Sequence, residues 1–329
     1  MFSFVITTIR DPNLLVDYHK QLKDIPHNFI VVPDKKTPIG AKATTKKVNG
    51  EYLERDTFGI WNDDARRMEG ILRAIERKDD FIILLDDDNY LGEYDIYTYF
   101  SRVGNVKKNK AKYSENRWVN IWEDKDLYPR GFPINRYHYD STEVLEESQV
   151  VVNAGLWECN PDIDAIYCLT SNPIIDKETE EFALGEKQFC PFNSQNTSIL
   201  TETLPGYFFP KRFNGSFKLG RYGDIFAGIF YEVIMHHLGG TVLFGKPYSK
   251  HVRNTHNFLK DLEWELMGMI ILNDIVPELE KIELKEKDWG SCLYELVSQL
   301  KGTRKETKEY LDFLKRGINK WLKALQKVS

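Results

Sequence analysis

Apolar and polar positions come in blocks through the first third of the chain. Phe2 to Ile9 and Asn28 to Val32 are short apolar runs ending at polar or proline residues, and Phe81 to Leu85 is apolar at every position. Such runs read as strands, and one without a polar face reads as a strand covered on both sides, as in a parallel sheet. Between them the apolar positions shift to helical spacing. Pro12 to Leu22 predicts a helix capped by Asp11. Asn62 predicts the N-cap of a second helix, with Asp63 and Asp64 in its first turn and an apolar stripe of Met68, Ile71, Leu72 and Ile75. This β-α-β-α-β order predicts a doubly wound α/β sheet, mixed but mainly parallel and flanked by helices. Thr7 to Arg10, Asp34 and Asp86 to Asp88 then meet at one edge of it.

The pattern weakens from about residue 115 to 220, where short strand signals are broken by Pro, Gly and Asn and aromatics are frequent. Those aromatics suit either a core or the stacking faces of a sugar site. A helix is predicted over Asp224 to His237 and a strand over Thr241 to Phe244. Beyond Phe258 the chain reads as helix throughout. Tyr310, Leu314, Ile318, Trp321, Leu322 and Leu325 form one stripe that packs back on the body or pairs with a partner, such as a second copy in a homo-oligomer. The expected division is a nucleotide-sugar-binding domain over 1–257 and a helical extension over 258–329.

Composition removes several function classes. With 329 residues, 42% hydrophobic and 29% charged, the chain is an ordinary globular sequence. A formal net charge of -5 excludes the basic surplus of a general nucleic-acid binder, and the clusters Lys107 to Lys112 and Lys315 to Lys327 read as solvated surface. The cysteines Cys159, Cys168, Cys190 and Cys292 lack zinc-site spacing and nothing resembles a signal peptide, so a reduced, cytoplasmic protein is expected. The strongest apolar run, Leu266 to Leu272, falls far short of the roughly 20 residues that cross a bilayer.

The most informative junction is Asp86-Asp87-Asp88, directly after the Phe81 strand. Ligands of parallel sheets bind beyond the carboxyl ends of the strands. Alternation along an extended chain lets Asp86 and Asp88 point one way and Asp87 another, so Asp86 and Asp88 can offer hard oxygens to Mn²⁺ or Mg²⁺ beside phosphate oxygens. This is the Asp-x-Asp arrangement of nucleotide-sugar-dependent glycosyltransferases. Around it stand Thr7, Thr8 and Arg10, whose amides and guanidinium could meet uridine or a diphosphate; Arg10 is equally a candidate surface ion pair. Asp34 is either an acceptor for a uracil N–H or a turn aspartate after Pro33. His251 could complete the metal shell or lie exposed in its loop, whereas His236 and His237 read as structural. Asp224, after Arg221, is an N-cap or a base beside a sugar, and Arg130 and Arg136 belong to a further polar loop suited to diphosphate or carboxylate.

Taken in order, several of these segments resemble the reversibly glycosylated polypeptide family, which includes the UDP-arabinopyranose mutases of plants. The matching stretches are Val5 to Arg10, the aspartate triplet, Arg130-Gly131-Phe132-Pro133, Asn153 to Trp157, Asn160 to Ala165, Gly220 to Gly228, and Gly245 to Tyr248 with His251. The resemblance implies a GT-A-like fold, a UDP-sugar ligand bound in part by Asp87, Arg130 and Arg221, and Mn²⁺ or Mg²⁺ at the triplet. It also implies an arginine, downstream of the Arg-Gly-aromatic-Pro segment, that carries the sugar reversibly. Arg136 is the nearest match, displaced by one position, and Gly223 stands where plant members have an acidic residue. Three outcomes follow: a mutase or self-glycosylating protein through Arg136, a glycosyltransferase serving a glycan acceptor with Asp224 as base, or a non-catalytic UDP-sugar-binding scaffold.

Overall fold

The structure, a computed structural model, describes residues 1–93, 95–122, 126–171, 173–174, 180–252 and 257–328, without the side chains of 247 and 248. Its first part is the expected alternation. Strand β1 (Phe2–Thr8), helix α1 (Leu15–Gln21), β2 (His27–Pro33), α2 (Gly40–Lys47), β3 (Glu51–Tyr52), α3 (Arg67–Arg77) and β4 (Phe81–Asp86) follow in order. β1 lies between β2 and β4, parallel to both. Alternate residues of these strands face opposite layers. Val5, Ile30, Val32, Ile82 and Leu84 pack with Met68, Ile71 and Leu72 of α3, while Phe4, Ile6, Phe29, Val31, Ile83 and Leu85 pack with Leu15 and Tyr18 of α1. Burial on both faces is why the Phe81 run carries no polar position. Gly70 lets α3 settle on the sheet, because a Cβ there would stand 2.5 Å from Val5 Cγ1.

After β4 come β5 (Asn89–Leu91), α4 (Ile96–Phe100), β6 (Val106–Ser114), β7 (Ser141–Cys159), α5 (Ala165–Thr170), β8 (Phe182–Leu184) and β9 (Asn196–Leu200). A small hairpin, β10 (Phe213–Asn214) and β11 (Lys218–Leu219), precedes α6 (Gly223–Leu238) and β12 (Thr241–His251). The main sheet has the order β3-β2-β1-β4-β9-β7-β6-β8-β12-β5, with β7 also pairing β12. It is parallel from β3 to β4 and mixed beyond, since β9 runs antiparallel to β4 and to β7 whereas β12 runs parallel to β7.

Helices α7 (Phe258–Leu279), α8 (Trp289–Gln299) and α9 (Lys305–Leu325) close the chain. Their apolar faces lie in the same core as the body: Leu272, Ile275, Leu296, Tyr310, Leu314 and Trp321 cluster with Tyr207, Tyr222, Ile225 and Phe226. The indole of Trp321 donates to Pro205 O at 3.1 Å, so the predicted stripe of α9 faces inward. Among the described residues no helix is long and apolar enough to cross a membrane.

Two predicted caps fall elsewhere. Asn62 adopts a left-handed backbone, φ +52°, and cannot cap; the extended Asp63 does so, accepting from Ala65 N at 3.0 Å. The first helix starts at Leu15 rather than Pro12, because Asp11 to Leu14 is spent on turns and no side chain caps it.

Candidate functional site

A cavity of about 400 Å³ opens at the carboxyl ends of β1, β2 and β4. Thr7, Thr8, Arg10, Asp34, Asp86, Asp87, Asp88, Arg130, Arg221, Asp224 and His251 all line it. Arg136 does not. Its guanidinium makes a two-pronged pair with Glu280, Nε to Oε1 and Nη2 to Oε2 at 2.9 Å each, just beyond the end of α7. The indole of Trp118 donates to the same carboxylate at 2.8 Å. Arg136 therefore ties its loop to the C-terminal helices, away from the cavity.

β4 ends at Asp86, and Asp87 and Asp88 occupy a turn before β5, so strand alternation does not reach them. Each aspartate has its own surroundings. Arg67, buried at the start of α3, donates Nη2 to Asp86 Oδ1 at 2.7 Å and Nη1 to Ser194 O and Oγ at 2.7 Å. Asp87 accepts from Thr8 Oγ1 at 2.7 Å and stands 3.4 Å from Arg10 Nη2. Asp88 lies 4.0 Å from Arg10 Nη2 and 3.9 Å from Nε2 of His251, whose Nδ1 is 2.8 Å from Asn160 O. Burial pushes the Asp86 carboxyl up to about 7, with the charge of Arg67 opposing and that of Asp88 adding to the rise. Its side chain keeps 29% of its surface open to the cavity, so solvent softens that rise.

Among the described residues no three His, Cys, Asp or Glu side chains converge as a preformed metal cluster. Asp86 and Asp88 nevertheless supply hard oxygens on one wall, and a carbonyl partner at Nδ1 is how metal-binding histidines are oriented. The donor set suits a Mn²⁺ or Mg²⁺ ion that completes its shell with ligand phosphates, better than it suits a closed protein cage.

Asp34 holds backbone amides, as expected of a turn aspartate. Its carboxylate accepts from Lys35 N at 2.5 Å, Asn62 N at 2.8 Å and Asp63 N at 3.3 Å, joining the loop after β2 to the start of α3 and shaping the cavity wall.

The opposite wall is a buried charge network. Arg130 donates Nε and Nη2 to Asp162 Oδ1 and Oδ2 at 2.8 and 2.9 Å, and Nη1 and Nη2 to Asp224 Oδ1 and Oδ2 at 3.1 and 2.7 Å. Nη1 also donates to Arg221 O. Burial would strip the charge from Arg130, but the two carboxylates outweigh it and hold the guanidinium firmly protonated. Asp224 lies in the first turn of α6, the alternative to a cap position for a residue opening this helix. Arg221 pairs with the buried Glu265 of α7 at 2.7 Å, and Glu265 in turn accepts from Ala165 N at 2.7 Å. Gly131 takes φ +86° beside Arg130, and a Cβ there would run into Ile225 of α6. Its amide approaches Asp164, which also accepts from Tyr222 at 2.8 Å. Burial raises the Asp164 carboxyl to about 7, and the charge of Glu265 adds to the rise.

Sequence reasoning missed Arg67 and Asp162. Arg67 could have been found, because Arg66-Arg67 sits where a helix dipole disfavours cations, a placement that asks for neighbouring anions. Asp162 lies in the family-like stretch Asn160 to Ala165, but nothing local gives it a role, since its partners Arg130 and Asn193 are distant in the chain.

Strand ends carrying carboxylates and arginines around a cleft at the sheet edge define an α/β protein whose cavity has the polar lining suited to an anionic ligand. The chain belongs to the family described as reversibly glycosylated polypeptide, whose profile matches residues 63–329. "Probable UDP-arabinopyranose mutase 4" of Arabidopsis thaliana is 23% identical over 347 residues, covering 99% of this chain and 91% of the relative. "UDP-arabinopyranose mutase 1" of the same plant is 23% identical over 341 residues, covering 98% and 91%. Among solved structures, glucosyl-3-phosphoglycerate synthase of Mycobacterium tuberculosis with Mn²⁺ and UDP-glucose aligns at a TM-score of 0.41 and 8% identity, over 87% of this chain and 80% of the other.

Proposed function

We propose that this protein is an enzyme that binds a UDP-sugar and moves the sugar reversibly between the diphosphate and an arginine, allowing ring isomerisation as in a UDP-sugar mutase. The single observation that carries the reading is one cavity with the aspartate triplet and Arg10 on one wall and the Arg130–Asp224 pair on the other. Relatives named UDP-arabinopyranose mutases, matched over almost the whole chain, support the substrate class.

The arginine in this reading is Arg130. Arg136 is committed to Glu280 outside the cavity, whereas both terminal nitrogens of Arg130 bear on Asp224, a carboxylate suited to take a proton. Arg10 and Thr8 face the diphosphate and hold Asp87. Asp86, Asp88 and His251 are the residues that would hold Mn²⁺ or Mg²⁺, which when bound neutralises charge on the departing diphosphate. Arg67 fixes the Asp86 carboxylate, and Asp224 accepts the arginine proton as the anomeric carbon is released. If an external hydroxyl entered beside Asp224 instead, the same site would serve a glycosyltransferase with a glycan acceptor.

Incubating the full chain with UDP-arabinopyranose radiolabelled in the sugar, with Mn²⁺, tests this. Label bound to the protein and released by excess UDP is expected. Label found only on an added glycan favours transfer, and UDP binding without any label movement favours a scaffold.

A further inference from the structure

The arginine wall holds two carboxylates that are not equivalent. Asp162 grips Arg130 along its Nε–Nη2 edge and also accepts the Arg130 backbone amide through its own carbonyl at 2.9 Å. Asn193 Nδ2 donates to Asp162 Oδ2 at 2.5 Å, and the Asn193 side-chain oxygen is itself fixed by Gln195 N at 3.1 Å. Asp162 and Asn193 are 4% and 3% exposed, so this clamp is set before any ligand arrives. Among the described residues Asp224 has no such backing. Its carboxylate touches Arg130 and its neighbour Ile225 N, and its bond to Nη1, at 3.1 Å, is the longest of the four that Arg130 makes to carboxylates.

Resting on the reading of Arg130 as the sugar-bearing residue, we infer that Asp162, braced by Asn193, is a positioning residue that turns Nη1 of Arg130 toward the anomeric carbon and leaves Asp224 as the proton acceptor. The geometry separates the roles. Nη2 bridges both carboxylates, whereas Nη1 shares its hydrogens between Asp224 and the carbonyl of Arg221, so of the two carboxylates only Asp224 can take a proton directly from Nη1. The bond from Nη1 to the anomeric carbon forms as the bond from that carbon to the β-phosphate oxygen breaks, and its electron pair leaves with UDP. The Nη1 proton goes to Asp224. The products are a glycosylated guanidinium, still cationic, a protonated Asp224 and UDP, and the reverse reaction restores all three. Burial alone would raise the Asp162 carboxyl, yet the charge and hydrogen bonds of Arg130 and the amide of Asn193 hold it down at about 2. Asp162 thus stays an anion while Asp224 cycles.

The same turn ties this clamp to the opposite wall. Ser194 accepts from Arg67, which holds Asp86, and Gln195 O accepts from Asp86 N at 2.9 Å. Asn193 to Gln195 therefore sets the spacing between the aspartate triplet and Arg130.

The test uses the full chain with radiolabelled UDP-arabinopyranose and Mn²⁺, following the rate of protein labelling against substrate concentration, with UDP affinity measured by calorimetry. For Asp162→Asn the saturating rate should fall about 100-fold, the scale of loss for a reacting group misplaced by roughly 1 Å, while half-saturation and UDP affinity stay within about threefold. A rate within about twofold of wild type overturns the inference, and so does a loss of UDP affinity in step with the rate, which marks general damage. Should that variant not fold, Asn193→Ala keeps the ion pair and removes only its brace; a fall of about tenfold with the same split is expected, and an unchanged rate overturns the inference. Arg130→Lys separates the two claims. If it still labels, or if wild type never does, the reading of the site fails; if it does not label while Asp162→Asn labels normally, the positioning role alone fails.

Discussion

One wall of the cavity stands on strand ends and the other on loops. Asp86 continues β4, and Thr8 ends β1 beside it, so the acidic wall inherits the rigidity of a sheet buried on both faces. The arginine wall gathers Arg130, Asp162 and Asn193 from loops and Asp224 from the first turn of α6, and holds them together by charge. The acidic wall stays partly open to solvent, with 29% of the Asp86 side chain exposed. The arginine wall is more deeply buried at its centre, where the side chains of Arg130 and Asp162 are each 5% exposed. Removing one partner there leaves a buried charge without compensation, which typically costs about 3 to 5 kcal/mol, whereas each partly exposed pair of the acidic wall contributes less.

The sharpest way to break this contrast is to exchange the roles of the two arginines of the 130–136 loop. Arg130→Lys should lower protein labelling by about 1,000-fold or more, because a point charge cannot reproduce the forked grip, while Arg136→Lys should stay within about tenfold of wild type. The opposite ranking would return the reactive role to Arg136. On the acidic wall, Asp86→Asn combined with Asp88→Asn should weaken Mn²⁺-dependent UDP binding in calorimetry by about 100-fold with the melting profile retained. Unchanged affinity would remove the cation from that wall.

Smaller effects probe how the arginine wall is built. Gly131→Ala should cost about 2 to 4 kcal/mol in urea unfolding, since it adds a Cβ at a left-handed φ and against Ile225. Asp164 has its folded pKa raised to about 7, so the folded state retains a proton that the unfolded chain releases above about pH 4. Its contribution therefore falls as pH rises from about 4 through 7, and Asp164→Asn should gain roughly 1 to 3 kcal/mol on wild type between pH 5 and pH 8. Least affected should be Glu280→Gln, which weakens a part-exposed pair with Arg136 and should cost about 1 kcal/mol with labelling unchanged.

The acidic wall was legible in the sequence because its signals are local: a fully apolar strand followed at once by carboxylates. Its details were less so, since Asp34 turned out to bind backbone amides of a loop that no periodicity marks. The arginine wall was hard to read because each member acquires meaning only from a partner distant in the chain. Arg130 and Arg136 look alike as sequence, and only their partners in the fold, Asp162 for one and Glu280 for the other, separate an arginine in the cavity from one outside it. β7 escaped notice for a related reason. Its first half, Ser141 to Gln149, is exposed and acidic while Val150 to Trp157 is buried, so no single period describes it.

The C-terminal helices bear on how the molecule is made. Tyr222, Ile225 and Phe226, beside Arg221 and Asp224, share their apolar cover with α7 and α9, and Arg221 and Arg136 are anchored on Glu265 and Glu280. Synthesis runs from the N-terminus, so the strands that carry the aspartates emerge before α7 and α9, and the arginine wall lacks its apolar cover until those helices have docked.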